Sequence, residues 1–153
     1  MSKITTSLWF DGNAEEAADF YTSVFKDSKI TNISRYGDAG PGPKGSVMVV
    51  GFELNGQSFI GINGGPQFKF SPAVSLVINC ETQQDIDYYW DHLLAGGAPN
   101  QCGWLTDKYG LSWQIVPATL SELMNDDQKA NRVMAAVLKM VKLDLAELQR
   151  AAA

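Results

Sequence analysis

Ser7-Leu8-Trp9-Phe10, a short turn and a helix-like run ending in Asp19-Phe20-Tyr21 are echoed later in the chain. The echo is Ser75-Leu76-Val77-Ile78, a short turn and a run ending in Asp87-Tyr88-Tyr89. Ser7 to Ser75, Leu8 to Leu76, Asp19 to Asp87 and Tyr21 to Tyr89 are each 68 residues apart. Two copies at so long a period do not make a solenoid. They read as two strand–helix–strand modules that pair into one domain, and a cleft between paired modules is a natural place for a ligand.

Outward from this repeat, residues 3–10 read as a strand, rich in β-branched and aromatic types. Asn13 opens a helix, with Glu16 as its capping-box partner. Ala14, Ala17, Ala18, Tyr21 and Phe25 make the helix's buried stripe. A strand follows at 29–36. The glycine- and proline-rich stretch 37–45 is expected to be a mobile loop. Two strands, 46–54 and 57–63, turn at Asn55-Gly56, a strong hairpin signal. A connector rich in Gly and Phe leads to the second module. There a strand spans 73–80, Thr82 caps the second helix, and a hairpin joins 102–107 to 111–116. Few residues precede that hairpin, so the second module has lost or shortened one strand. Thr119 with Glu122 is another capping box. It opens a helical tail expected to break near Asp126 and Lys142. The tail's apolar face, Val133, Met134, Val137, Leu138 and Val141, must be buried on the sheets or on a second subunit.

The chain has 153 residues, 45% apolar and 19% charged, as in an ordinary soluble domain. A net charge of −5 with no basic cluster argues against nucleic-acid binding, which needs clustered Lys and Arg. No apolar run approaches the length of a membrane span. Met1-Ser2-Lys3-Ile4 lacks the apolar stretch of a secretory leader, and Cys80 and Cys102 form no CxxC pattern. The expectation is a cytoplasmic protein with reduced, mostly buried thiols, a disulfide being the alternative.

Two β-α-β-β-β modules, the first helix ending in Asp-Phe-Tyr, resemble the vicinal oxygen chelate (glyoxalase/dioxygenase-type) superfamily. Residues 8–17, Asn63-Gly64-Gly65-Pro66, Phe68-Lys69-Phe70, Gln101-Cys102-Gly103-Trp104 and Gly110-Leu111-Ser112-Trp113-Gln114 are similar to the PhnB-like branch. That branch is often labelled 3-demethylubiquinone-9 3-methyltransferase-like. The resemblance is taken to run from about residue 3 to 153. It implies an α+β fold of two modules, the second shortened, whose curved mixed or antiparallel sheets surround a cavity, with a helical tail. The expected organisation is a single domain over 1–153: module one 1–65, module two 72–118 and tail 119–153. The resemblance further implies a homodimer.

In metal-using relatives, four His, Glu or Gln side chains on the first and last strands of each module grip a divalent ion. Carried onto this chain by register, the resemblance gives Thr6, Asn63 (or Gly61), Ser75 (or Val74) and Gln114. None is a histidine or a carboxylate, and such neutral groups are weak ligands for transition ions. No metal and no cofactor is therefore expected. The lining expected instead is Thr6, Asn63, Ser75 and Gln114, with Phe68 and Phe70 as aromatic walls. Polar groups spaced among apolar walls suit a small ligand.

His92, the one histidine, falls within the second helix, so Ser7, Ser75 or Cys102 has no evident base and a hydrolytic triad is not expected. Nor does the chain carry the Gly-rich strand–helix turn and acidic ribose ligand of nucleoside-cofactor enzymes, which argues against methyl transfer. The sequence thus points to a small-molecule binder. Antibiotic-sequestering relatives in the superfamily bind without reacting. The alternatives are a lyase, isomerase or dioxygenase that recruits a metal through Gln114, and an interaction domain with a filled core.

Overall fold

A computed structural model describes residues 3–153. The chain divides into two units, one through Lys69 and one from Phe70 onward. The division falls inside the connector, and the tail belongs with the second unit.

The first unit holds β1 (Thr6–Phe10), α1 (Ala14–Val24), β2 (Lys29–Arg35), β3 (Val47–Leu54) and β4 (Gln57–Asn63). Its sheet order is β1-β4-β3-β2. β1 runs parallel to β4, and the other pairs are antiparallel. Asn55 and Gly56 both take positive φ, 49° and 82°, as the tight β3–β4 hairpin requires. Alternation along the strands sends Leu8, Phe10, Val50, Phe52 and Phe59 to one face, where all are buried. The fully buried Ala14, Ala17, Ala18 and Tyr21 of α1 pack on that face. Gly61 lies there too: a methyl group on it would touch Ala14 Cβ at 3.3 Å. The small residues let the helix sit close to the sheet.

The expected capping box at Asn13 does not form, because Asn13 makes no side-chain cap bond. Asn63 supplies the acceptor from across the sheet, its Oδ1 receiving the Ala14 N–H at 2.9 Å. Loop 37–45 has no regular structure, as expected, and makes hydrogen bonds at its base: Gly45 N–H donates to Tyr36 O, Arg35 to Gly45 O, and Lys44 pairs with Asp38. Gly40 and Gly42 lie flat against the Tyr36 ring, where any side chain would collide with it.

The second unit repeats the plan with β5 (Ser75–Cys80), α2 (Gln83–Leu94), β6 (Ala98–Pro99), β7 (Trp104–Thr106) and β8 (Ser112–Pro117). Its order is β5-β8-β7-β6, again with the first and last strands parallel. The shortened strand is β6, two residues long. Thr82 caps α2 as expected, its Oγ1 accepting from Asp85 N–H. Leu105, Trp113 and Ile115 face the helix with the buried Ile86, Trp90 and Leu93. Val74 does not join this apolar face. It precedes the strand and is exposed.

The tail forms α3 (Leu120–Leu123), α4 (Asp127–Val137) and α5 (Leu145–Ala152), broken where expected. Thr119 makes no side-chain cap, so the second capping box also fails to form. Val133, Val137, Leu143 and Leu148 make a buried cluster, joined by Cys102 and Val116 from the sheet side. Of the stripe offered to a second subunit, Val133 and Val137 are thus buried within the chain, while Met134, Leu138 and Val141 stay exposed. Among the described residues no helix is long and apolar enough to cross a membrane.

Candidate functional site

Each sheet has a helix-packed face and an opposite face, and strand parity decides which side chains reach the latter. In the second unit, Ser75 pairs in register with Ser112, Val77 with Gln114, and Gln114 with Trp104. Residues paired across a ladder share a face, so Ser75, Val77, Trp104 and Gln114 lie on the side opposite α2. Val77 is 49% exposed, as that placement demands. Gln114 Nε2 donates to Ser75 Oγ at 3.0 Å, and both residues are half-buried. The structure therefore brings these two expected site residues into direct contact on the face opposite α2, where Ser112 is buried and Val116 packs on the tail cluster.

The first-unit half of the expected lining needs correcting by one residue. Thr6 shares parity with Leu8 and Phe10 and so turns to the α1 side. Asn63 and Gly61 share parity with Phe59 and do the same. The Asn63 carboxamide is already committed, accepting from Ala14 N–H and donating to Val47 O at 3.1 Å. Its backbone carbonyl accepts from the Tyr36 hydroxyl at 2.6 Å. It is an anchor for α1 and loop 37–45. The residues that reach the opposite face are Ser7, Trp9, Ile60 and Ile62. The signal for this lay in the repeat itself: the 68-residue offset equates Ser75 with Ser7.

Phe68 and Trp9 form an aromatic corner, ring centroids 4.9 Å apart and nearly perpendicular. Trp9 Nε1 donates to Gly65 O at 2.9 Å, and Gly64 lies flat on the indole, where a side chain would collide. Phe68 is 65% exposed. Phe70 is half-buried in the second unit.

The donor chemistry does not suit a metal. By register the faces opposite the helices carry hydroxyls, apolar groups, the carboxamides of Asn32, Asn79 and Gln114, and a single carboxylate, Glu53. Among the described residues no three His, Cys, Asp or Glu side chains converge. Asp107, the one buried carboxylate among the described residues, is spent on structure. Its Oδ1 accepts from Tyr109 N–H and Leu111 N–H, and its Oδ2 from Trp113 Nε1–H at 2.8 Å. Burial chiefly, with Asp85 nearby, pushes the Cys80 thiol up to about 12, so it is no nucleophile at neutral pH. The N-termini of α1 and α2 already hold side-chain acceptors.

A family model described as 3-demethylubiquinone-9 3-methyltransferase matches residues 2–116. The chain belongs to that family. Its tail lies beyond the match, so the resemblance extends less far than residue 153. A putative 3-demethylubiquinone-9 3-methyltransferase, PhnB protein, from Bacillus cereus is 45% identical, with a TM-score of 0.69. The alignment covers 75% of this chain and 99% of that one. A Pseudomonas aeruginosa protein, 18% identical over 76% of this chain and 98% of its own, shares the fold with a TM-score of 0.63. So does a Listeria monocytogenes fosfomycin resistance protein, FosX, described as complexed with Mn(II) and sulfate. It is 12% identical over 81% of this chain and 95% of its own, with a TM-score of 0.57. The Pseudomonas and Listeria neighbours share the fold alone. No curated protein matches the chain.

Proposed function

We propose that this 3-demethylubiquinone-9 3-methyltransferase-family chain is a binding protein for a small, partly apolar organic molecule. The observation that carries this reading is the Ser75–Gln114 pair, a half-buried hydrogen bond on a sheet face that α2 leaves uncovered. Phe68, edge-to-face with Trp9, is the aromatic contact we assign to the first unit. In the first unit, taken by itself, Ser7 replaces Thr6 and Asn63 on the face opposite α1. Phe70 stays in it as a half-buried aromatic. The protein acts without a resident metal on this reading, since Ser75 and Gln114 offer only neutral oxygens. The metal-recruiting lyase, isomerase or dioxygenase finds no carboxylate or imidazole among these residues. The methyltransferase name gains no support from the helix N-termini, which Asn63 and Thr82 occupy. A homodimer is part of the proposal, supported by exposed apolar side chains on the tail, and so is a cytoplasmic setting, supported by two free cysteines.

Mass spectrometry of small molecules released from the natively purified protein tests the reading. A stoichiometric organic ligand, lost in a Gln114→Leu variant, is the expected result. Release of the same ligand from the variant, or of nothing from either protein across several growth conditions, would count against it.

A further inference from the structure

Resting on the binding reading above, we propose that the second-sheet face selects an uncharged headgroup with adjacent hydrogen-bond donor and acceptor: a carboxamide, lactam or imide. The argument starts from what the Ser75–Gln114 bond leaves over. Gln114 Nε2 donates to Ser75 Oγ, which frees the serine hydroxyl hydrogen to donate outward and leaves Gln114 Oε1 to accept. Turning the amide over exchanges the roles and keeps the result, because the pair still shows one donor and one acceptor. An amide edge is the complement of such a pair. A carboxylate has only acceptors, so it would face Gln114 Oε1 with nothing to donate.

The surroundings favour the same choice. Val77, Asn79, Trp104, Thr106, Ser112 and Val116 share the face by register, and none is charged. No cation on this face repays the desolvation of an anion. Val77 and Trp104 flank Gln114 in the ladder and supply apolar contact for a ring attached to the headgroup.

Titration of the full chain with 2-naphthamide and with 2-naphthoate tests this, since the two probes match in shape and differ in headgroup charge. Binding is followed by calorimetry and by the side-chain amide resonances of Gln114. The amide is expected to bind at least about tenfold more tightly than the carboxylate, and to shift the Gln114 resonances. Its affinity should stay flat between about 0.05 and 0.5 M salt, as for an uncharged contact. Gln114→Leu and Ser75→Ala should each weaken amide binding, with thermal unfolding of both variants checked for a normal fold. If the carboxylate binds as tightly and moves Gln114, the headgroup class is wrong while small-molecule binding stands. If neither probe moves Gln114, this inference is overturned, and ligand release from native protein decides the broader reading separately.

Discussion

Asp107 is the side chain on which the β7–β8 hairpin closes. Three N–H donors, those of Tyr109, Leu111 and the Trp113 indole, converge on one buried carboxylate. Removing it leaves these donors without that acceptor, each loss costing about 1–3 kcal/mol if water does not enter. Asp107→Ala is therefore expected to lower stability by about 3 kcal/mol or more. Asp107→Asn, which keeps one acceptor oxygen, should lose less. Urea denaturation with an unchanged slope reads both, and equal losses would show that the oxygens do not act separately. The hairpin turn was legible at Asp107-Lys108-Tyr109-Gly110. The carboxylate's burial was not, because it depends on where the Trp113 indole lies. A second expectation at this scale concerns the thiols. Cys80 is buried with its pKa raised to about 12, which leaves on the order of one thiolate in ten thousand at pH 8. Native protein should take up iodoacetamide at Cys102, which is half-buried, well before Cys80, and both should react in denaturant. Mass spectrometry of timed samples decides it, and equal labelling of both in native protein would contradict the burial.

The tail is where element-level reading from sequence ran short. Its apolar residues and its breaks were plain in the pattern, yet the pattern does not say which surface they cover. Single side chains settle that. Gln83, in the first turn of α2, donates through Nε2 to Leu143 O and accepts through Oε1 from Leu145 N–H at 2.8 Å. Backbone N–H groups of Cys102 and Gly103 donate to Met140 O and Val141 O. Leu143 packs on Gly103, leaving no room for a methyl there. Leu143→Ala should cost about 2–5 kcal/mol through the cavity it leaves, against a few tenths for the exposed Leu138→Ala. Lys142 adds an ion pair with Asp87 at 2.8 Å. That pairing, with Gln83 next, lowers the Asp87 pKa below its ordinary 3.8. A depressed carboxylate stabilises the fold above its unfolded pKa and loses that contribution as pH falls through the folded value. Tail docking should therefore weaken only below about pH 4, by no more than about 1 kcal/mol for so exposed a pair. Lys142→Met should remove that part of the acid sensitivity, as read by hydrogen exchange at α5. In loop 37–45, legible as irregular, the pattern did not show that Gly40 and Gly42 serve as flat surfaces against Tyr36.

At the scale of the whole chain, the 68-residue echo proved the most informative feature. It foretold two modules of one plan, and the two sheets share a strand order and a parallel pair of first and last strands. Register along a strand was less legible, because a slip of one residue sends every side chain to the other face. Ser75 and Gln114 fell on the face opposite α2. Thr6 and Asn63, carried over by family spacing and not by the internal repeat, fell on the helix side. The same parity shows how the repeats have diverged. Where the second sheet sets Val77 beside Gln114, the first sets Trp9 beside Ile62. At this paired position one face is thus partly polar and the other apolar. The remaining question at this scale is assembly. Packing of the tail within the chain buries Val133 and Val137, two of the five residues of the stripe that suggested a partner. Met134, Leu138 and Val141 stay out, with Leu138 62% exposed. Met134 and Leu138 stand four residues apart, one turn of α4, and Val141 follows just beyond the helix, so the three form a candidate apolar patch. Apolar patches of this kind are commonly covered by another protein surface. The expected outcome of light scattering at micromolar concentration is twice the single-chain mass of 16.7 kDa. A Leu138→Glu variant should shift that mass toward one chain while keeping its thermal transition, since Leu138 contributes little to the chain's own core. A wild-type protein that scatters as one chain would remove the dimer from the proposal. A Leu138→Glu variant that stays dimeric would move the interface off the tail.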